Sequence, residues 1–313
     1  MVRFNPKARL DRSRVKDVGG NGGPGSGSGM RLPIPGGIGG KGGIGGLILV
    51  IALVILAQCT GIDILGGGGS SPNQASNAPK LLTYDSCATG EDANDNRDCA
   101  RVATENTLTG FWESQDIKGF RPVEALYTFS GQVDTGCGAA TSDVGPFYCP
   151  PDESIYLDTK FFDQVLEDQL GGPDGLFVEM YVLAHEYGHH ISNIIGDMGR
   201  VKSQQTGPES PGVRLELQAD CFAGMWAKAA PTIEDDNGEV IISEITEADL
   251  KLGLDAAAAV GDDYIQRKTQ GQVQEEAWTH GSSAQRQYWF TQGYQADSME
   301  DCATFDIDSV QVP

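Results

Sequence analysis

The stretch "VLAHEYGHHIS", Val182 to Ser192, holds three of the chain's four histidines within six positions. His185 and His189 bracket Glu186 in the order H-E-x-x-H. On an α-helix, residues four apart share one face with their Cβ atoms about 5–6 Å apart, so two imidazoles at this spacing can bind one cation. Glu186 lies one step around the helix from His185, close enough to take a proton from water beside the cation without being a ligand itself. His190 points about 100° away from His189 and reads as a supporting or surface residue rather than a ligand. The ordinary alternative is a helix with satisfied core histidines. Val182, Leu183, Ile191, Ile194 and Ile195 would pack the helix into a core on either reading.

Two histidines are not enough for catalytic zinc, which usually takes three protein ligands and keeps a fourth position for water. A metzincin would need Gly at position 192 and His at 195, where Ser192 and Ile195 stand, so that class is excluded. The segment "RLELQADCFAGMWAK" offers Glu216 and Asp220, four apart, with Glu216 27 residues after His189. One of these carboxylates can complete a His, His, Glu set, and the other can fix a ligand imidazole by accepting its hydrogen bond. Two solvated acids on an ordinary helix would be the plain alternative. The neighbours Leu215, Leu217, Ala219, Phe222 and Trp226 predict burial instead, and a buried carboxylate needs a partner.

These residues require two helices, read over about Leu176 to Ile195 and Val213 to Lys228. Before them, Asn94 to Phe111 reads as a helix, and Val123 to Ser130 and Ser154 to Asp158 as strands. Residues Cys137 to Pro150 form a loop closed by its own two cysteines, and "TKFFDQVLEDQL" carries apolar residues at helical spacing before the turn "GGPDG". "TEADLKLGLDAAAAVGDDYI", with Thr246 as its N-cap, and "SSAQRQYWFTQGY" give the last helices. Strands early and helices late predict an α+β fold.

Four segments, "VGPFYCPPDESIYLD", "VLAHEYGHHIS", "RLELQADCFAGMWA" and "THGSSAQRQYWFTQGY", together resemble the bacterial neutral zinc metallopeptidase family. Members of that family begin with a Gly-rich basic arm and one membrane span, and the likeness extends over nearly the whole chain. The resemblance implies a zincin-like domain of minigluzincin type, with an active-site helix, a glutamate-ligand helix and a small β-sheet. It implies one Zn2+ per chain held by His185, His189 and Glu216, with Glu186 as general base and acid and Asp220 behind a ligand. His280 and Arg286 have the spacing of a late His and Arg in similar membrane-associated gluzincins, where one reaches back toward the substrate. Peptide hydrolysis develops an oxyanion, and a cationic or hydrogen-bonding group opposite the metal would stabilise it. A helix cap is the alternative role for His280.

The organisation of the chain sets further expectations. Residues Asp17 to Gly46 are dominated by Gly with Ser and Pro, and residues 1–41 carry eight Lys or Arg against two Asp. They read as a flexible basic arm. Residues 42–62 hold no charge over 21 positions, long enough for one membrane span, and the basic flank places the arm in the cytoplasm. Residues 63–82 read as a flexible linker and 83–313 as an extracytoplasmic catalytic domain. An uncleaved anchor is favoured over a signal peptide by the long basic arm. From Gly42 onward 14 Lys plus Arg face 42 Asp plus Glu, a net charge of −28, which repels nucleic acid. Six of the seven cysteines lie in the outer part. Local pairing predicts Cys87 with Cys99 and Cys137 with Cys149, leaving Cys221 for Cys302.

The leading function is therefore a membrane-anchored zinc peptidase acting on extracytoplasmic proteins or peptides. A non-catalytic, zinc-stabilised cell-envelope interaction module is the alternative. The two differ at Glu186, because a purely structural site has no need of a non-ligand carboxylate there and is more often closed by four protein ligands. An amidase on cell-wall peptides would share the same chemistry.

Overall fold

The computed structural model describes residues 1–19, 84–202 and 204–312, so the expected span at 42–62 and linker at 63–82 lie outside the described residues. Chain segments far apart in sequence build the sheet. Strand β1 (Arg3–Phe4) pairs antiparallel with β8 (Ile242–Glu244). Strand β2 (Val15–Gly19) runs parallel to β3 (Leu126–Phe129), with Val15 opposite Leu126. Strand β3 is parallel to β7 (Ser154–Asp158), and β6 (Phe147–Cys149) closes the sheet antiparallel to β7, giving the order β2-β3-β7-β6. Strands β4 (Gln132–Thr135) and β5 (Gly138–Thr141) form a separate hairpin.

This pairing corrects the topology expected from the sequence. Among the described residues no helix is long and apolar enough to cross a membrane. The transmembrane helix placed before the fold, and with it the membrane as a partner, therefore has no counterpart among the described residues. Independently, β2 and β3 are neighbours in one sheet, so residues 1–19 belong to the same folded body as the rest. A single crossing between residues 19 and 84 would put them on opposite faces of a bilayer. The single-pass arrangement, with a cytoplasmic N-terminus and an outer domain, is thus overturned by backbone hydrogen bonds. Arg14, one of the basic residues read as a cytoplasmic arm, instead serves local packing, donating through Nε to the buried Glu105 at 2.7 Å.

Helices α1 (Gly90–Asp95) and α2 (Arg97–Ser114) replace the single helix expected at Asn94 to Phe111. Asn96 separates them: its side chain accepts from the Asp98 N–H as an N-cap, which holds its own backbone extended. Residues Phe162–Glu167 form a π-helical turn. Helix α3 (Leu176–Ile195) ends at Gly196, whose φ of 91° takes the left-handed conformation that Gly tolerates best. Helix α4 (Pro211–Ala229) starts with Ser210 capping the Val213 N–H and Pro at its first position. The stretch from Thr246 divides into α5 (Glu247–Ala259) and α6 (Asp262–Gln270) around an extended Gly261, and α7 (Ser283–Gln295) follows.

The helices approach one another unusually closely where glycines face backbone. A Cβ on Gly188 of α3 would lie 2.9 Å from Ala219 Cα on α4, and one on Gly293 of α7 would collide with the Cys221 carbonyl of α4. Helix α4 is thereby held against α3 on one side and α7 on the other. The three disulfides occur as paired from the sequence: Cys87–Cys99, Cys137–Cys149 and Cys221–Cys302. The last ties α4 to the C-terminal segment.

Candidate metal centre

The Gly188 contact lets α4 come near enough for Glu216 to face both histidines of α3. Glu216 Oε2 lies 3.2 Å from His185 Nε2 and Oε1 lies 3.5 Å from His189 Nε2. All three side chains are buried, and their ligand atoms lie within 4.8 Å of one another. For zinc–nitrogen bonds of about 2.0–2.1 Å in a tetrahedron, ligand atoms are separated by about 3.3–3.4 Å, close to the two histidine–glutamate distances, so the group could hold a metal ion.

The hydrogen-bond pattern makes the same point. Arg286 donates to Asp220 with Nε at 2.8 Å and Nη2 at 3.0 Å, and Tyr181 donates its hydroxyl to Asp220 Oδ1 at 2.6 Å. Burial works to raise the Asp220 pKa, but Arg286 and His185 outweigh it and hold the carboxyl below its ordinary range. An ionised Asp220 accepts the Nδ1–H of His185 at 2.8 Å. The Nε2 lone pair of His185 is then turned toward the Glu216 carboxylate. Two acceptors at that distance require a positive charge between them, which a proton or a cation supplies. Without a cation, burial pulls the His185 pKa down but the Asp220 and Glu216 carboxylates overcome it, pushing it up to about 10. His189, by contrast, is pushed down to about 4 by burial. Burial would raise Glu216, yet His189 and His185 hold it well below the usual carboxylate range. The cluster thus fits a divalent cation by donor type, spacing and charge.

Glu186 sits beside this set without joining it. Its Oε2 accepts the backbone N–H of Tyr148, on the edge strand β6, at 2.8 Å. Burial raises its pKa to about 7. His280 lines the same cleft. Its Nδ1 lies 2.9 Å from Thr279 Oγ1 and 3.4 Å from Asp262 Oδ1. Burial opposes its charge, but Asp262 and Glu216 raise its pKa overall.

Arg286 also borders the cleft, but its donors are engaged elsewhere. Besides Asp220 it reaches the Tyr181 hydroxyl at 3.3 Å and the Val260 carbonyl at 3.5 Å. The structure therefore brings together His185, Glu186, His189, Glu216, Asp220, His280 and Arg286, with Arg286 behind Asp220 rather than across from the His, His, Glu cluster. His190 stands apart and fully buried, between the Tyr148 hydroxyl and the Arg121 carbonyl, each at 2.9 Å.

Three participants were not found in the sequence. Tyr181 lies one helical turn before His185, a spacing that could have marked it. Tyr148 acts through its backbone, which carries no side-chain signal. Asp262 holds the loop of His280 by accepting the N–H groups of Thr279, His280 and Gly281 at 2.6–3.0 Å, a contact across 17 to 19 residues.

Fold and site together define a buried, helix-borne His, His, Glu cluster that could hold a metal ion, with a further glutamate beside it. Comparison with known proteins gives this class a family: residues 6–305 match the one described as "Putative neutral zinc metallopeptidase", and the chain belongs to it. It is 34% identical to the uncharacterized protein YpfJ of Escherichia coli (strain K12) over 306 residues, covering 96% of this chain and 98% of that protein. It is 50% identical to the uncharacterized protein Rv2575 of Mycobacterium tuberculosis (strain ATCC 25618 / H37Rv) over 221 residues, covering 70% and 74% respectively. No solved structure matches it.

Proposed function

We propose that this chain is a zinc-dependent peptidase that hydrolyses peptide bonds in proteins or peptides, with His185, His189 and Glu216 holding one Zn2+. The observation that carries this reading is the position of Glu186. It is buried next to the ligand cluster, anchored through one oxygen to the Tyr148 N–H, and absent from the ligand set. A metal site kept only for stability would more often be closed by a fourth protein ligand. When bound, zinc supplies a Lewis acid that polarises the scissile carbonyl and acidifies water.

The chain's own residues supply the rest. Glu186 takes a proton from the attacking water on Oε1 and returns it to the leaving amine, aided by a pKa that burial has brought near neutrality. His280, held by Asp262, donates to the oxygen on which negative charge develops. Asp220 fixes the tautomer and ring angle of His185, and Arg286 with Tyr181 keeps Asp220 ionised and in place. Arg286 is accordingly a positioning residue.

The test is zinc content of the purified chain together with cleavage of an unstructured protein. Chelation should abolish cleavage and stoichiometric zinc should restore it. Retention of full cleavage after complete removal of metal would overturn the reading.

A further inference from the structure

The cleft that holds the metal cluster also carries a second, chemically different surface. The charged residues lining the cleft, Glu186, Glu216 and Arg286, all belong to the site already described, as do its histidines. Much of the remaining lining is hydrocarbon. Val165, Leu166 and Leu170 come from the π-helical turn and the residues after it, Ala256 and Val260 from the end of α5, and Ile265 from α6.

This apolar wall is held by its own bonds. The Leu170 carbonyl accepts from the Tyr264 hydroxyl at 2.8 Å and from Lys268 Nζ, tying the turn to α6. Leu166 packs so tightly on Gly172 that a Cβ there would lie 2.8 Å from its Cδ1. A wall fixed in this way does not need to be ordered by the ligand, which favours binding.

Size and chemistry together specify an occupant. The cleft volume is about 130 Å³. An apolar cavity of about 150 Å³ accepts benzene, so one aromatic ring or branched aliphatic side chain is of a size the cleft accepts. A carboxylate or ammonium entering the same wall would lose hydration without gaining a partner.

We propose that this pocket receives the side chain of a substrate residue adjoining the scissile bond and selects large apolar residues, such as Phe and Leu, over Ala, Asp and Glu. The inference rests on the peptidase reading for its chemistry, but its selectivity comes from the pocket alone.

The experiment uses the zinc-loaded full chain and has two readouts. The first is kcat/KM on acetylated, amidated hexapeptides that differ at a single position. At one position beside the cleaved bond, Phe and Leu should exceed Ala by at least about tenfold, the scale at which a hydrophobic pocket discriminates missing methylenes. The second is binding of N-acetylphenylalaninamide and N-acetylalaninamide to the Glu186→Gln protein by saturation-transfer NMR, which needs no turnover.

Val260→Phe, from α5, and Val165→Phe, from the turn, should each fill the pocket. With zinc content unchanged, each should shift the preference toward Ala by about tenfold and expel N-acetylphenylalaninamide. Should one of the two fail to fold, the other decides. Equal rates for Phe, Ala and Glu at every position, or an unchanged preference in the filled variants, would overturn the pocket proposal while leaving a peptidase. Absence of all cleavage, with N-acetylphenylalaninamide still bound and expelled by both fillings, would keep the pocket and overturn the peptidase reading instead.

Discussion

His189 and His190 are consecutive residues of one helix, both buried, and both held below the ordinary imidazole pKa by burial. Their surroundings nevertheless give them opposite tasks. His189 turns Nε2 toward Glu216, and its Nδ1 has no hydrogen-bond partner among the described residues. His190 has both nitrogens engaged, one with the Tyr148 hydroxyl and one with the Arg121 carbonyl. A ligand needs an uncommitted lone pair, and only His189 has one facing other ligand atoms. Residue type and burial therefore do not identify a metal ligand; the partners on each ring nitrogen do. The two faces remain linked, because Tyr148, steadied by His190, also gives its N–H to Glu186.

Substitutions on the two faces should separate these tasks, beginning with the largest effect. Glu186→Gln should retain zinc and lower kcat by about a hundredfold to ten-thousandfold, the usual worth of a positioned base. A Glu186→Gln protein with full zinc and undiminished cleavage would sink the role assigned to Glu186. Glu216→Ala leaves two imidazoles, and its zinc affinity, read by competition with a chromogenic chelator, should fall by more than that of any variant behind the ligands. Asp220→Ala should weaken zinc affinity or turnover by about tenfold to a hundredfold, as expected of a group that orients a ligand.

The smallest effect on the metal belongs to the other face. His190→Phe should leave zinc affinity unchanged and cost about 1–3 kcal/mol of stability in denaturant titration, because it removes both hydrogen bonds of a fully buried imidazole, to the Tyr148 hydroxyl and the Arg121 carbonyl. A loss of zinc in His190→Phe comparable to that in Glu216→Ala would erase the distinction between the two histidines.

Much of the site was legible before any coordinate. The His185, Glu186, His189 spacing works because it repeats the α-helical period, and helix α3 occupies the residues read for it. Glu216 and Asp220 were readable as a pair by the same rule, with apolar neighbours signalling burial. Arg286 was only half legible. Its presence near the metal was expected, but its commitment to Asp220 depends on how closely α7 meets α4 at Gly293 and Gly224. Asp262 was invisible because its acceptors' partners lie in a loop 17 to 19 residues on, with no periodic signature. The expected basic arm shows the reverse failure. Its composition suggested a solvated tail, while strand pairing with β3 and the Arg14–Glu105 ion pair made part of it structural.

The sequence by itself determined what is local: the helical face carrying the two histidines and their glutamate, the Thr246 N-cap of α5, and the two disulfides that close short loops. These follow from backbone period, hydrogen-bonding side chains and small loop-closure distances, all set within a few residues. Tertiary structure decided what joins distant segments: β2 beside β3, Glu216 opposite both histidines, and Arg286 behind Asp220. Those contacts depend on the approach of whole elements. Glycines at 188 and 293, where a single added Cβ would strike neighbouring backbone, set that approach for the helices, and their effect appears only once the helices are packed.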